Sequence, residues 1–326
     1  MSGATRPGSP AVDPDSPRTA VLLMAYGTPR TPAEIEPYYT DIRRGRPPTP
    51  EALEDLTARY AAIGGVSPLA QITEAQRDAL QDALDARAPG THRVALGLKH
   101  ADPKVEATAA ELVRAGVDRI VGLVLAPHYS SYSIGQYLGR TRDGVDAAGG
   151  GVVVDGIESW AREPAFVEFL AADLRRRCDT MRTQVDGQVR VVFTAHSLPQ
   201  RIIDAGDPYP DELRATAEAV AERLGLAEGR DWMLGWQSAG RTPEPWIGPD
   251  VLDLIDDLGR DAGVSGVIVS ACGFVADHLE VLYDLDIEAA DRAAQHGLAF
   301  ARTASVNTDP AVIGALADRV LSAPGS

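Results

Sequence analysis

V-I-V-S-A-C-G-F-V-A-D-H-L-E-V-L-Y-D-L-D-I-E, residues 267–288, changes character twice. Residues 267–269 are branched and apolar, which fits a short buried strand. Residues 270–273 are small, so the backbone can turn sharply there. The remainder reads as a helix. At about 100° per residue, Asp277, Glu280, Asp284 and Glu288 fall within about 80° of one another. Phe274, Val275, Leu279, Val281, Leu282, Leu285 and Ile287 fill most of the remaining circumference. Carboxylates at i,i+4 repel by about 0.2–0.5 kcal/mol per pair. A solvated face would screen that repulsion. A seam in a helix buried on most sides would need cations, protons or a metal to offset it. Val281 and Ile287 flank the stripe closely, which is the pattern of a seam.

Bulk composition narrows the field. The chain has 326 residues, enough for two domains with their own cores. A net charge of −16 argues against nucleic acid or an anionic membrane as the main partner. The longest apolar run, 120–127, is strand-sized, so no membrane insertion is expected. Residues 1–17 hold four prolines and no apolar core, and read as a disordered lead-in rather than a secretion signal. Two cysteines, Cys178 and Cys272, make neither a disulfide framework nor a four-cysteine metal site. A soluble, cytoplasmic protein is the expectation.

Strands and helices alternate along the chain. Residues 21–24 are a strand closed by A-Y-G-T-P (25–29), then 31–42 a helix entered through Pro32. I-R-R-G-R (42–46) places three arginines in four residues, either a solvated surface or a cradle for carboxylates. A helix at 72–86 follows, then strand 94–98, helix 104–115, strand 120–126 and strand 152–155. This order predicts a parallel, doubly wound sheet with right-handed crossovers. Helix 165–180 leads into a second series: strands 190–194, 233–237, 267–269 and 298–305, with helices 211–224, 249–258 and 309–321.

A weak internal repeat links the two series. V-L-L-M-A-Y-G-T-P around Tyr26 resembles V-V-F-T-A-H-S-L-P around His196, and 120–127 echoes 267–273. If the repeat holds, Tyr26 and His196 stand at equivalent strand ends and face one cleft from opposite walls, since ligands of such sheets bind beyond the carboxyl ends of the strands. His196 with Glu280 suits a divalent first-row metal, and equally a proton relay. G-x-G-x-x-G and G-x-x-x-x-G-K are absent, and the glycine run 149–151 precedes a strand. G-x-S-x-G is absent too, which counts against an ordinary serine hydrolase.

At these same residues the chain resembles the bacterial ferrochelatase family, and its coproporphyrin III branch most. The resemblance rests on L-L-M-A-Y-G-T-P (22–29), Y-Y-T-D-I-R-R-G-R (38–46), R-Y-A-A-I-G-G-V-S-P-L-A-Q-I-T (59–73), L-A-P-H-Y-S (125–130), A-H-S-L-P (195–199), G-D-P-Y-P (206–210), G-W-Q-S-A-G-R-T-P-E-P-W-I-G-P-D (235–250) and G-F-V-A-D-H-L-E-V-L-Y-D (273–284). It implies an α/β chelatase-like fold of two Rossmann-like domains, each a parallel sheet flanked by helices. One would span 18–158 plus 306–326, with the C-terminal helix closing back on it. The other would span 159–305 and carry the metal site. It implies insertion of ferrous iron into coproporphyrin III with loss of two protons, His196 and Glu280 binding the metal or accepting protons. Tyr26 would approach from the opposite face, with Asp284 and Glu288 as a further acidic path. Tyr26, Arg43, Arg59, Tyr60, Ser67 and Tyr137 would contact the porphyrin, whose four propionates suit an arginine- and hydroxyl-lined cleft.

The resemblance further implies no organic cofactor, iron as a substrate, a monomer, and product passed to a downstream haem-synthesis enzyme. Some relatives hold a [2Fe–2S] cluster on four cysteines; two cysteines cannot build it. Protoporphyrin IX as substrate is the near alternative, and chelation of cobalt by a corrinoid precursor a further one. A non-catalytic haem- or porphyrin-binding protein and a two-domain glycosyl or phosphoryl transferase are the rivals of other classes.

Overall fold

The computed structural model describes residues 17–323 apart from Arg241. The expected lead-in therefore lies outside the described residues, save for Pro17. Among the described residues are two four-stranded parallel sheets. The first holds β1 (Thr19–Ala25), β2 (His92–Leu98), β3 (Arg119–Val124) and β4 (Val153–Ile157), in the order β2-β1-β3-β4. The second holds β5 (Gln188–His196), β6 (Trp232–Gln237), β7 (Val264–Ser270) and β8 (Ala299–Arg302), in the order β6-β5-β7-β8. The orders correspond strand for strand. β1 matches β5 and β3 matches β7, the same pairs that resemble each other in sequence.

The strands read as continuous apolar runs because both faces are covered. Val21 and Leu23 of β1 face one core, while Ala20, Leu22 and Met24 face another that includes Ile134 and Leu138. The first of these cores continues without a break into the second sheet, reaching Phe193 and Ile268. Phe166, Leu170 and Leu174 of the helix Pro164–Arg182 join it, as do Val312, Ile313 and Leu316 of the helix Pro310–Leu321. That last helix returns to the first sheet's side, where Arg87 donates to Asp318 at 2.6 Å. One shared core thus fixes the two sheets against each other and sets the gap between their carboxyl ends.

Two helices of more than ten residues were not placed from sequence. Pro50–Ala62 begins at a Thr49 cap whose side chain accepts from the Ala52 N–H. Its signal was present, with Leu53, Leu56 and Tyr60 at helical spacing behind T-P-E. Ile134–Ala147 covers β3 and β4.

The stretch 267–288 departs from the single helix expected of it. Helix starts only at Leu279, after Gly273 donates to Thr194 O at 3.0 Å and so runs along β5. Asn307 then takes the next turn: its N–H donates to Val275 O at 2.8 Å and its Oδ1 accepts from the Asp277 N–H at 3.0 Å. Asp277 is consequently not part of the stripe. Its carboxylate pairs with Arg302 at 3.2 Å and accepts from Ser305 and Asn307. After Leu282 the chain widens into a π-helical segment, Asp284–Ala289, in which Glu288 N–H donates to Tyr283 O at 2.9 Å. Such segments are rare and concentrate at functional sites.

Candidate functional site

His196 is the last residue of β5, and Tyr26 follows the last residue of β1. Parallel sheets present such residues at their carboxyl edge. The His196 ring donates through Nδ1 to Ser197 O at 2.5 Å. His278 donates through Nδ1 to Ala276 O at 2.9 Å. A carbonyl only accepts, so both rings carry their proton on Nδ1. Their Nε2 atoms face one oxygen, Glu280 Oε2, at 3.7 and 3.8 Å. Two imidazole nitrogens and a carboxylate oxygen thus turn toward one small volume, donor types that suit a proton or a divalent cation. Burial pushes the Glu280 carboxyl up, but His196, His278 and Arg59 together hold it below its ordinary value. It therefore stays ionised. Gln237 anchors the turn by donating to Glu280 O at 3.0 Å while its own Oε1 accepts from Thr194.

Across the gap the Tyr26 side of the site is phenolic. The Tyr26 ring is 42% exposed and packs 4.6 Å from the His100 ring. Its surroundings, and then the charge of Glu280, push its phenol far above the ordinary value, so it stays neutral. Glu280 acts on Tyr38 and Tyr60 in the same direction. The carboxylate and these phenols therefore lie near enough to interact, although they come from opposite halves of the chain.

The acidic stripe continues away from it. Asp284 is 7% exposed and accepts from Ser238 at 2.6 Å and Arg59 at 3.3 Å. Burial, then the Glu280 charge, raises its carboxyl to about 6. Glu288 lies beyond it, close enough to raise both Asp284 and Asp250.

The other expected residues divide. Tyr60 is buried against Thr28 at 3.3 Å, and Tyr137 is buried near Tyr26. Arg59 is already engaged. It reaches Asp284, lies 3.2 Å from Asp55, and covers the Tyr283 ring at 4.8 Å, so it ties the two sheets' sides together. Ser67 is buried, with Oγ accepting from the Leu69 N–H, and Arg43 is exposed beside Tyr39; no hydrogen bond or ion pair among the described residues joins either to the gap. Sequence reasoning missed His278, although D-H-L-E sits inside the stripe, because the carboxylates alone were followed. It also missed Trp246, whose ring lies 6.3 Å from that of His196. Among the described residues no group of three or more His, Cys, Asp or Glu side chains is gathered closely enough to hold a metal ion.

Two parallel-sheet halves meeting at such a gap are the chelatase fold. It is shared with SirB from Bacillus subtilis, solved with Fe3+ (TM-score 0.52, 12% identity, 93% of this chain and 94% of that one). It is shared also with CbiX, a terminal enzyme of sirohaem biosynthesis in denitrifying bacteria (TM-score 0.52, 14% identity, 93% and 98%). Within that fold, the ferrochelatase family model matches residues 18–323, and the chain belongs to the ferrochelatase family. Coproporphyrin III ferrochelatase of Halalkalibacterium halodurans is 45% identical over 302 residues, 92% of this chain and 95% of that relative. The Bacillus subtilis protein of the same name is 42% identical over 309 residues (94% and 98%). A ferrochelatase of Herpetosiphon aurantiacus is 43% identical over 301 residues (92% and 97%).

Proposed function

We propose that this chain inserts ferrous iron into coproporphyrin III to form Fe-coproporphyrin III, a step of haem biosynthesis carried out in the cytoplasm. The observation that carries the reading is the approach of His196 and His278 Nε2 to Glu280 Oε2, on the far side of a gap from the Tyr26 phenol. A disc-shaped macrocycle lying in that gap would meet the phenol on one face and the imidazole–carboxylate set on the other.

The chemistry balances without a redox step. Two pyrrole N–H bonds break, their electron pairs become donors to Fe²⁺, and two protons leave. Iron is a substrate and keeps its oxidation state, so no organic cofactor is required. His196 Nε2, with Nδ1 already committed to Ser197 O, either hands iron to the ring or receives a proton. Glu280, ionised in the free site, replaces water around the metal and takes up protons. Asp284, poised near 6, and Glu288 would carry protons or metal between the gap and solvent. Tyr26 would close the opposite face without ionising. Tyr60 and Tyr137 would line the macrocycle's edge, with Arg43 and Ser67 reaching its propionates. Arg59 can serve a propionate only by leaving Asp284. We assign residues 18–158 with 306–326 to a porphyrin-holding lobe and 159–305 to a metal-handling lobe, and take the working unit as a monomer that passes product onward.

The test is anaerobic incubation with Fe²⁺ and either coproporphyrin III or protoporphyrin IX, following loss of free-porphyrin fluorescence. Coproporphyrin III is expected to be metallated faster. His196→Ala is expected to abolish insertion while porphyrin still binds; full activity in that variant would remove the histidine from the mechanism. Faster turnover of protoporphyrin IX would move the chain to the alternative substrate.

A further inference from the structure

Three non-glycine residues among the described ones hold a left-handed backbone: Arg44, Ser238 and Asn307. Two of them bond to an acid of the stretch 267–288, Ser238 to Asp284 and Asn307 to Asp277. Such backbone is costly for residues with side chains, asparagine bearing it more readily than most, and it collects around functional sites. Asp284 belongs to the acidic stripe. Asp277 does not, so its capture by Asn307 calls for another reason.

Asn307, at φ 46°, grips the backbone on both sides of Ala276. Its N–H donates to Val275 O at 2.8 Å, and its Oδ1 accepts from the Asp277 N–H at 3.0 Å. Its Nδ2 donates to the Asp277 carboxylate at 2.9 Å. The carbonyl between these two points, Ala276 O, is the one that accepts from His278 Nδ1 at 2.9 Å. That bond fixes the tautomer and turns Nε2 toward Glu280 Oε2. His278 O accepts in turn from the Val281 and Leu282 N–H groups at 3.1 and 2.8 Å, so the helix that carries Glu280 starts from the same residue. Behind Asn307 stands Gln76, 1% exposed in the helix Leu69–Arg87. Its Nε2 donates to Asn307 O at 2.7 Å and to Val275 O at 3.4 Å, while its buried Oε1 accepts no hydrogen bond among the described residues. The Gln76 amide is thus committed to this turn.

Gln76 and Asn307 lie in the segments assigned above to the porphyrin-holding lobe, whereas residues 275–280 lie in the metal-handling one. We propose that Asn307, backed by Gln76, is a positioning residue: it sets Ala276 O, and through it the His278 ring, in register with a macrocycle held by the other lobe. The inference rests on the iron-insertion reading above and deepens it. Neither residue reaches the reacting atoms, so their effect on rate passes through His278. A misplacement of about 1 Å, set from outside the reacting centre, can cost about 100-fold in rate.

The experiment is a double-mutant cycle on iron insertion, with Asn307→Gly, Gln76→Met and His278→Phe singly, and each of the first two combined with His278→Phe. Glycine keeps the left-handed backbone and its main-chain bonds while removing both side-chain bonds to Asp277. Methionine keeps the length of Gln76 without its donor. Loss of coproporphyrin III fluorescence with Fe²⁺ gives kcat, and titration without iron gives the porphyrin Kd, all well below each variant's Tm. Asn307→Gly and Gln76→Met are each expected to lower kcat about tenfold with Kd within about twofold of wild type. In the His278→Phe background the same changes should cost less than about twofold more. Wild-type kcat in both single variants overturns the inference. Losses that multiply with that of His278→Phe, or a loss of porphyrin affinity as large as the loss of kcat, overturn it as well, because the two residues would then be merely structural. Wild type that binds no coproporphyrin III, or inserts no iron into it, removes the reading beneath, an outcome visible before any variant is made.

Discussion

Asp284→Asn is the substitution for which the structure gives the clearest number. The Asp284 carboxyl is raised from 3.8 to about 6, chiefly by burial and then by Glu280, against the pull of Ser238 and Arg59. At about 1.36 kcal/mol per pH unit, keeping it ionised costs the folded state about 3 kcal/mol at neutral pH. The sign follows from proton binding. Below about pH 4 the carboxyl is protonated folded and unfolded, and there is no cost. Between about 4 and 6 the folded state holds the proton that the unfolded chain has lost, so stability falls as pH rises. Above about 6 the full cost is present. Asparagine stands in for the protonated acid, so the variant should match wild type near pH 4 and exceed it by up to about 3 kcal/mol at pH 7.5. At about 2 °C per kcal/mol for a chain of this size, Tm should rise by about 4–6 °C. Thermal melts at pH 4.5 and 7.5 measure this, alongside iron insertion, which should slow if the stripe conducts protons or metal. A variant less stable than wild type at pH 7.5, or a Tm difference independent of pH, would refute the reasoning. A gain in stability with a loss of rate is the trade expected where a strained charge serves function.

Other outcomes follow from particular contacts. His278→Phe keeps the packing against Phe274, 4.9 Å ring to ring, but removes one of the two nitrogens facing Glu280; insertion should slow at least several-fold with porphyrin affinity retained, measured by titration and rate together. Gly144→Ala places a methyl 2.3 Å from Glu106 O, where two helices cross with no room for a side chain; a loss of about 1–3 kcal/mol in urea unfolding is expected. Burial pushes the Cys272 thiol up to about 12; iodoacetamide at pH 8 should leave it unmodified in the native protein and modify it on unfolding, as mass spectrometry of the peptide will show.

Much of this was legible in the sequence because parallel strands covered on both faces carry no polar alternation. V-L-L-M and V-I-V could hardly be anything but central strands, and the likeness of the Tyr26 and His196 strand ends anticipated two sheets of one order. The stripe was legible in part. Glu280, Asp284 and Glu288 do run together, but the segment widens into a π-helix and Asp277 is captured by Asn307, 30 positions away, neither of which local periodicity registers. Arg59 illustrates the same limit. Its contact with Asp284, 225 residues downstream, could not be read from the arginine's neighbours in sequence. His278 was legible by spacing and overlooked by chemistry.

The most direct measurement is a crystal structure of the protein with coproporphyrin III bound. The account requires the macrocycle between the sheets' carboxyl ends, Tyr26 against one face and His196, His278 and Glu280 against the other. A porphyrin seated elsewhere, or with all four side chains on one face, would contradict it.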